Sequence, residues 1–240
     1  MGCGWFPCAL LSCCLDTACR SIETRPHYVT RRFAEFSASI IVINEGWEDL
    51  QLDTSMMRML SELEAFLANS AALFNRQKDR LVFFINNYDL ILTIMQEKTS
   101  GPSKESQHFE LVLNARIQSY VQEELAPYFG KLIMFVGETE PLLAEGKVQL
   151  DQARVEKLVR SFAQDWRRAI DDINADVLQS FTNFTAGTEI LQAVLTGLII
   201  YYQRFLAIMA KAPFNTLSCR HELINIHHVM VEVKKHRATF

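Results

Sequence analysis

The residues best suited to binding a metal lie near the C-terminus: Cys219, His221, His227 and His228. Thiolate and imidazole are zinc ligands, but structural zinc sites use closely spaced pairs of them. His221 and His228 lie about two helical turns apart, and no paired motif accompanies them. We therefore predict neither a metal site nor a cofactor.

Five of the six cysteines lie at the start of the chain: Cys3, Cys8, Cys13, Cys14 and Cys19. Disulfide frameworks spread cysteines over the fold that they cross-link, and this spacing does not fit zinc either. We predict that residues 1–23 form an unstructured, Cys-rich leader. Gly2-Cys3 suits a lipid anchor, but Phe6 stands where N-myristoylation requires Ser or Thr. A lipidated leader is the alternative.

No motif for catalysis is found: the chain has no Gly-rich phosphate loop, no G-x-S-x-G and no H-E-x-x-H. The carboxylate pairs Asp171-Asp172 and Glu123-Glu124 are predicted on polar helix faces, where water solvates them. The net charge of −4 does not favour nucleic acid as a partner. We predict a protein that is not an enzyme, and a helical enzyme with a novel site is the competing class.

The elements that must position these residues are predicted to be helices. Gly and Pro number only 9 and 6, and apolar residues recur at three- and four-residue intervals. The first helix is expected to start near Pro26 and to end at residues 44–46. A second, capped by Asp53 or Thr54, is expected to continue past Met95 for over 40 residues, about 60 Å.

Further along the chain, Ser103 is expected to cap a third helix, which bends at Pro127. A shorter helix follows and stops at residues 137–141. The next helix covers residues 155–181. At residues 185–188 one helix is expected to end and another to begin. Residues 190–209 are predicted to form the central buried helix, and a last helix runs from Leu223 to Arg237.

These elements predict an all-α fold, an elongated rod of stacked antiparallel long-helix bundles. The rod is expected to comprise residues 24–240, divided into sub-bundles 24–145 and 146–240. Trp166, Phe181, Leu195 and Tyr202 are expected to face inward between the helices.

Five stretches carry a resemblance to a known family: RPHYVTRRFAEFSA (25–38), LVFFINNYD (81–89), LNAR (113–116), SFTNF (180–184) and ELINIHHVMVEVKKH (222–236). In order and spacing they resemble the C-terminal part of the vacuolar protein sorting-associated protein 52 family, from about Thr24 to Phe240. Residues 137–150 match loosely, and Arg237-Ala-Thr-Phe240 replaces the family's usual Lys-Pro-Asn-Phe ending.

The resemblance marks a set of structural or interaction positions. They are Arg25, Pro26, His27, Tyr28, Arg31, Arg32, Asn86, Asn87, Tyr88, Asp89, Asn114, Arg116, Asn183, Phe184, Glu222, Asn225, His227 and His228.

The resemblance implies a rod of the tethering-complex (CATCHR) type and a role as a non-enzymatic subunit. The implied assemblies are the Golgi-associated retrograde protein complex and its endosomal recycling counterpart. These capture carriers at the trans-Golgi network and endosomes ahead of SNARE-mediated fusion. The implied partners are sister subunits, SNARE proteins and Rab or Arf-like GTPases, with only peripheral membrane association on the cytosolic face.

Family members also carry a long N-terminal region with coiled-coil character, through which the subunits assemble. The printed sequence does not contain such a region. An alternative function is therefore a truncated cytosolic helical adaptor that does not join the complex, with a lipid anchor at its N-terminus if the leader is lipidated. On this basis the short form is expected to co-purify poorly with the sister subunits.

Overall fold

The computed structural model describes residues 23–44 and 49–237, and within them every regular element is helical. The helices are α1 (Tyr28–Ile43), α2 (Leu50–Ala71), α3 (Gln77–Lys98), α4 (Lys104–Ala144), α5 (Gln152–Ser180), α6 (Phe184–Met209) and α7 (Ile226–Arg237), with short 3-10 turns at Phe214–Thr216 and Ser218–Glu222. The predicted all-α class is confirmed. The predicted leader, apart from Glu23, lies outside the described residues.

Helix α1 begins and ends close to where the sequence predicts. His27 is the N-cap, and its Nδ1 accepts a hydrogen bond from the Val29 amide (3.2 Å). Pro26 immediately precedes this cap, so its missing N–H removes nothing from the helix.

The prediction of one helix of over 40 residues is wrong. Asp49, not Asp53 or Thr54, caps α2 through its carboxylate, and α2 ends at Ala71. The chain turns back at Phe74, whose carbonyl accepts a hydrogen bond from Arg80 Nε (2.8 Å). Because a straight rod would leave its apolar stripe in water, folding back is favoured: Leu67, Phe74 and Phe83 share one core.

Ser103 caps α4 as predicted, in a capping box with Ser106. However, α4 then continues for 41 residues through both Pro127 and Pro141, about 60 Å. The predictions of a separate, shorter helix after Pro127 and of a break at residues 137–141 are therefore wrong. Each proline removes only one backbone hydrogen bond, and buried apolar side chains on both sides of Pro127 hold the helix in place: Leu125, Phe129, Leu132 and Val136.

Helix α5 agrees with its prediction, whereas the starts of α6 and α7 differ. Asn183 caps α6, so this helix begins at Phe184, just before the predicted start within residues 185–188. Leu223 precedes α7 instead of belonging to it. By length and composition alone α6 could cross a membrane, but Leu195, Leu198 and Phe205 are buried in the protein core.

The apolar side chains form two clusters. One joins α1, α2 and α3 to the first turns of α4 around Leu67, Ile91 and Phe109. The other joins α3 to α7 around Leu125, Ile170 and Leu195. The four predicted inward residues are all buried: Trp166, Phe181, Leu195 and Tyr202. Since α3 and α4 contribute to both clusters, a division at residue 145 stays a prediction.

Candidate functional site

The stretch LVFFINNYD (81–89) lies in α3, and its residues Asn86 and Asn87 are almost completely buried (2% and 0% exposed). A buried amide costs free energy unless its donors and acceptors find partners. The partners here come from segments far away in the sequence. We call Asn86, Asn87 and Asp89 the polar clasp.

Asn86 connects the segment before α1 to the turn between α5 and α6. Its Nδ2 donates to the carbonyls of Thr24 (2.9 Å) and Ser180 (3.2 Å). Its Oδ1 accepts from the backbone N–H (3.1 Å) and the hydroxyl (3.3 Å) of Thr182. One side chain therefore fixes two chain segments against α3.

Asn87 holds the start of α1 on α3. Its Oδ1 accepts from the His27 amide (2.9 Å) and the Thr30 hydroxyl (2.6 Å), and its Nδ2 donates to the Phe83 carbonyl (2.7 Å). Burial lowers the pKa of His27, and its ring lies 4.9 Å from that of Phe66. A neutral ring is what the cap requires, because its Nδ1 accepts a hydrogen bond.

Asp89 completes the clasp by accepting a hydrogen bond from Asn183 Nδ2 (3.0 Å). Asn183 in turn caps α6, its Oδ1 accepting from the Thr185 amide (3.1 Å). Burial raises the pKa of Asp89 and the nearby charge of Glu189 raises it further, while the bond from Asn183 opposes both effects.

Tyr88 and Arg116 belong to an aromatic cluster beside the clasp. The Tyr88 ring lies 5.8 Å from Phe84 and 5.7 Å from Phe109, and the Arg116 guanidinium lies 4.5 Å from the Phe84 ring. Burial raises the pKa of Tyr88 to about 12. Tyr88 is therefore a neutral packing residue at physiological pH.

Most of the remaining motif positions before the C-terminal stretch are exposed. Arg31 and Arg32 pair with Glu35 of the same helix (3.9 and 3.4 Å). Tyr28, Asn114 and Phe184 present their side chains at the surface, and Arg25 pairs with Glu23 (3.7 Å).

The C-terminal motif makes local contacts. Glu222 pairs with Arg160 of α5 (3.4 Å), and Asn225 accepts a hydrogen bond from the His227 amide at the start of α7 (2.9 Å). His227 and His228 are exposed, and Cys219 is buried. Within residues 23–44 and 49–237, no His, Cys, Asp and Glu side chains gather in a group able to hold a metal ion.

Sequence reasoning missed an ion cluster where α3, α4 and α5 meet. Glu124, predicted to be solvated, is 1% exposed and contacts the ammonium of Lys78, which also contacts Asp176. Glu124 follows the buried Tyr120 and Val121 by one helical turn, so helical spacing could have placed it inward. Its neighbour Glu123 is exposed, as predicted.

Replacing Asn86 tests whether the clasp stabilises the fold. We expect Asn86→Ala to lower the free energy of unfolding by about 2–3 kcal/mol, because two carbonyls and an amide lose their partner. Asn114→Ala, a matched change at an exposed site on α4, should cost under about 0.5 kcal/mol. Urea denaturation measures both. Equal effects would mean that the clasp does not hold these segments together.

Taken together, the described residues define a class: an all-helical scaffold in which buried polar side chains join helices. A family model described as "Vps52, C-terminal" matches residues 9–121, and so includes part of the cysteine-rich segment. The chain belongs to the Vps52 family through the C-terminal region of its members.

Curated relatives extend the similarity over most of the chain. Vacuolar protein sorting-associated protein 52 homolog from Homo sapiens is 42% identical over 222 residues, which is 91% of this chain and 31% of the relative. Protein 52 A from Arabidopsis thaliana is 36% identical, with the same shares covered. The Caenorhabditis elegans homolog is 33% identical over 92% of this chain and 32% of its own length.

The chain thus spans about a third of the length of these relatives. No solved structure matches it.

Proposed function

We propose that this chain is a non-enzymatic subunit of a multisubunit vesicle tether in endosome-to-trans-Golgi retrograde transport and endosomal recycling. In this role it helps to dock carriers ahead of SNARE-mediated fusion. The observation that carries the proposal is 42% identity, over 91% of the chain, to a protein named for vacuolar sorting.

The fold supports a mechanical role. Helix α4 alone extends about 60 Å, and α3 and α4 take part in both apolar clusters, which couples the two ends of the molecule. The polar clasp fixes the segment before α1 and the α5–α6 turn to α3. A stiff helical unit of this kind transmits position between docking surfaces. A tethering-complex (CATCHR) rod is the arrangement that we propose.

The proposed partners are the sister subunits of the Golgi-associated retrograde protein complex and its endosomal counterpart, SNARE proteins, and Rab or Arf-like GTPases. The proposed location is the cytosolic face of the trans-Golgi network and endosomes. Association with membranes would then be peripheral, through these partners.

A chimaera tests the proposal. In cells that lack the human relative, its C-terminal part is replaced by residues 24–240 of this chain, and retrieval of an endosome-to-Golgi cargo is measured. We expect retrieval to be restored, because the exchanged region has the same family fold. A chimaera carrying Leu195→Asp should not restore it. Absence of retrieval with a stably expressed chimaera would contradict the proposal.

A further inference from the structure

A groove follows the seam between α4 and α6. It consists of two adjoining cavities of about 470 and 240 Å³, both of which are lined by Gln118 of α4 and Ala193 of α6. On α6 the groove extends from Ala186 to Arg204, about 27 Å at 1.5 Å per residue. This length equals about five turns of an α-helix.

The middle of the groove carries no charge. Residues 190–203 of α6 contain no Asp, Glu, Lys or Arg, and the facing residues of α4 are Gln118, Val121 and Gln122. Surface helices normally present charged side chains to water, whereas the centres of protein interfaces are depleted of them. Ile200, half-exposed at 49%, adds an apolar contact point.

Helix α6 exposes a mainly polar but uncharged face beside the groove. Most of its large apolar side chains are buried in the protein core, and Ile200 is the exposed large apolar residue of the groove. The other exposed groove residues of α6 beyond Glu189 are Gln192 and Thr196. The open side of α6 is the side that lines the groove.

One end of the groove is acidic. Asp89 and Glu189 line it, and among the described residues neither forms an ion pair with Lys or Arg. At the opposite end Arg204 is already paired with Glu140 (Nε to Oε1, 2.9 Å). A cation at the Asp89 end would therefore gain two carboxylate neighbours, and charge of this kind sets the orientation of a partner.

We propose that the α4–α6 groove binds an amphipathic α-helix from another subunit of the same complex, with a Lys or Arg beside Asp89 and Glu189. This inference rests on the proposed function and adds the kind of partner. A helix fits the length of the groove, and an apolar residue of that helix would lie over Ala193 and Ile200. The acidic end disfavours an anionic membrane, which would be repelled. It disfavours a second copy placed acidic end to acidic end for the same reason.

Peptide binding tests the proposal. The probes are fluorescent peptides of about 20 residues, tiled over the subunits that co-purify with the human relative, and binding to the 240-residue chain is followed by anisotropy. We expect a peptide with a basic end to bind and to become helical. Ile200→Arg should weaken its binding at least about tenfold. The matched control is Met134→Arg, at a similarly exposed apolar residue of α4 outside the groove (55% exposed), and it should leave binding unchanged.

A charge reversal tests the orientation. Glu189→Lys should weaken the same peptide about tenfold at low salt, and a peptide with its basic residue changed to Glu should recover binding to this variant. Three outcomes would overturn the inference: no peptide binds, the wild-type chain floats with phosphatidylserine vesicles through Ile200, or it dimerises through Ile200.

The chimaera separates the two proposals, because restored retrieval with no peptide bound contradicts only the proposal of a binding groove. Peptide binding without retrieval contradicts only the tethering role.

Discussion

Leu195→Asp is expected to prevent stable folding of the chain. Leu195 is completely buried in the cluster that joins α3 to α7. The substitution removes an apolar side chain worth about 2 kcal/mol of burial and leaves a carboxylate without a partner. We expect a loss of more than about 4 kcal/mol in the free energy of unfolding, a large part of the total stability of a domain.

The matched control is Glu123→Gln on the exposed face of α4. It should change the free energy of unfolding by less than about 0.5 kcal/mol. Circular dichroism during thermal unfolding distinguishes the two variants. If both unfold at the same temperature as the wild type, Leu195 does not occupy the core position described above.

Lys78→Met is expected to give the second largest loss, about 3 kcal/mol. Glu124 is 1% exposed, and Lys78 is the cation that contacts it. Removing one member of a buried ion pair leaves the other charge uncompensated, which costs about 3–5 kcal/mol. The lower end of that range applies because the Lys78 side chain keeps 22% exposure to water.

A double substitution provides the control. In Lys78→Met/Glu124→Leu no charge remains buried, so much of the lost stability should return. Denaturant unfolding of the single and double variants measures this coupling. A double variant as unstable as the sum of Lys78→Met and Glu124→Leu would show that the two side chains do not interact.

The same cluster predicts a pH dependence. Burial lowers the pKa of Lys78, but the hydrogen bond to Asp176 and the ion pair with Glu124 outweigh this effect, and the net pKa is raised above 10.5. A raised pKa in the folded state means that the stabilisation is fully present at neutral pH. It is lost only as the pH rises above this value, through the folded-state pKa.

The sequence alone predicted the all-α class, the cap at Ser103, and the inward positions of Trp166 and Leu195. These features depend on local patterns, namely helical periodicity and capping side chains, which residues a few positions apart determine. The resemblance to the Vps52 family rested on five short stretches of the sequence, and the comparisons with known proteins confirmed it.

Tertiary structure decided the features that depend on residues far apart in the chain. An apolar stripe continues from α2 into α3, but the chain turns at Phe74, which is buried in one cluster with residues of α1 and α4 such as Phe33 and Phe109. Proline usually ends a helix, but α4 continues through Pro127 and Pro141, and around Pro127 its side chains are buried against other helices.

The candidate sites show the same division. Asn86 and Asn87 were recognised as motif residues, yet all but one of their hydrogen-bond partners lie about 60 or about 95 positions away in the sequence. No local pattern identifies such partners, since a hydrogen bond of this kind forms only after the chain has folded. The burial of Glu124 beside Lys78 and the open side of α6 also follow from how long helices stack. The sequence by itself determined which segments are helical and what they resemble, and the packing of those helices determined which polar side chains are enclosed and which surface remains open.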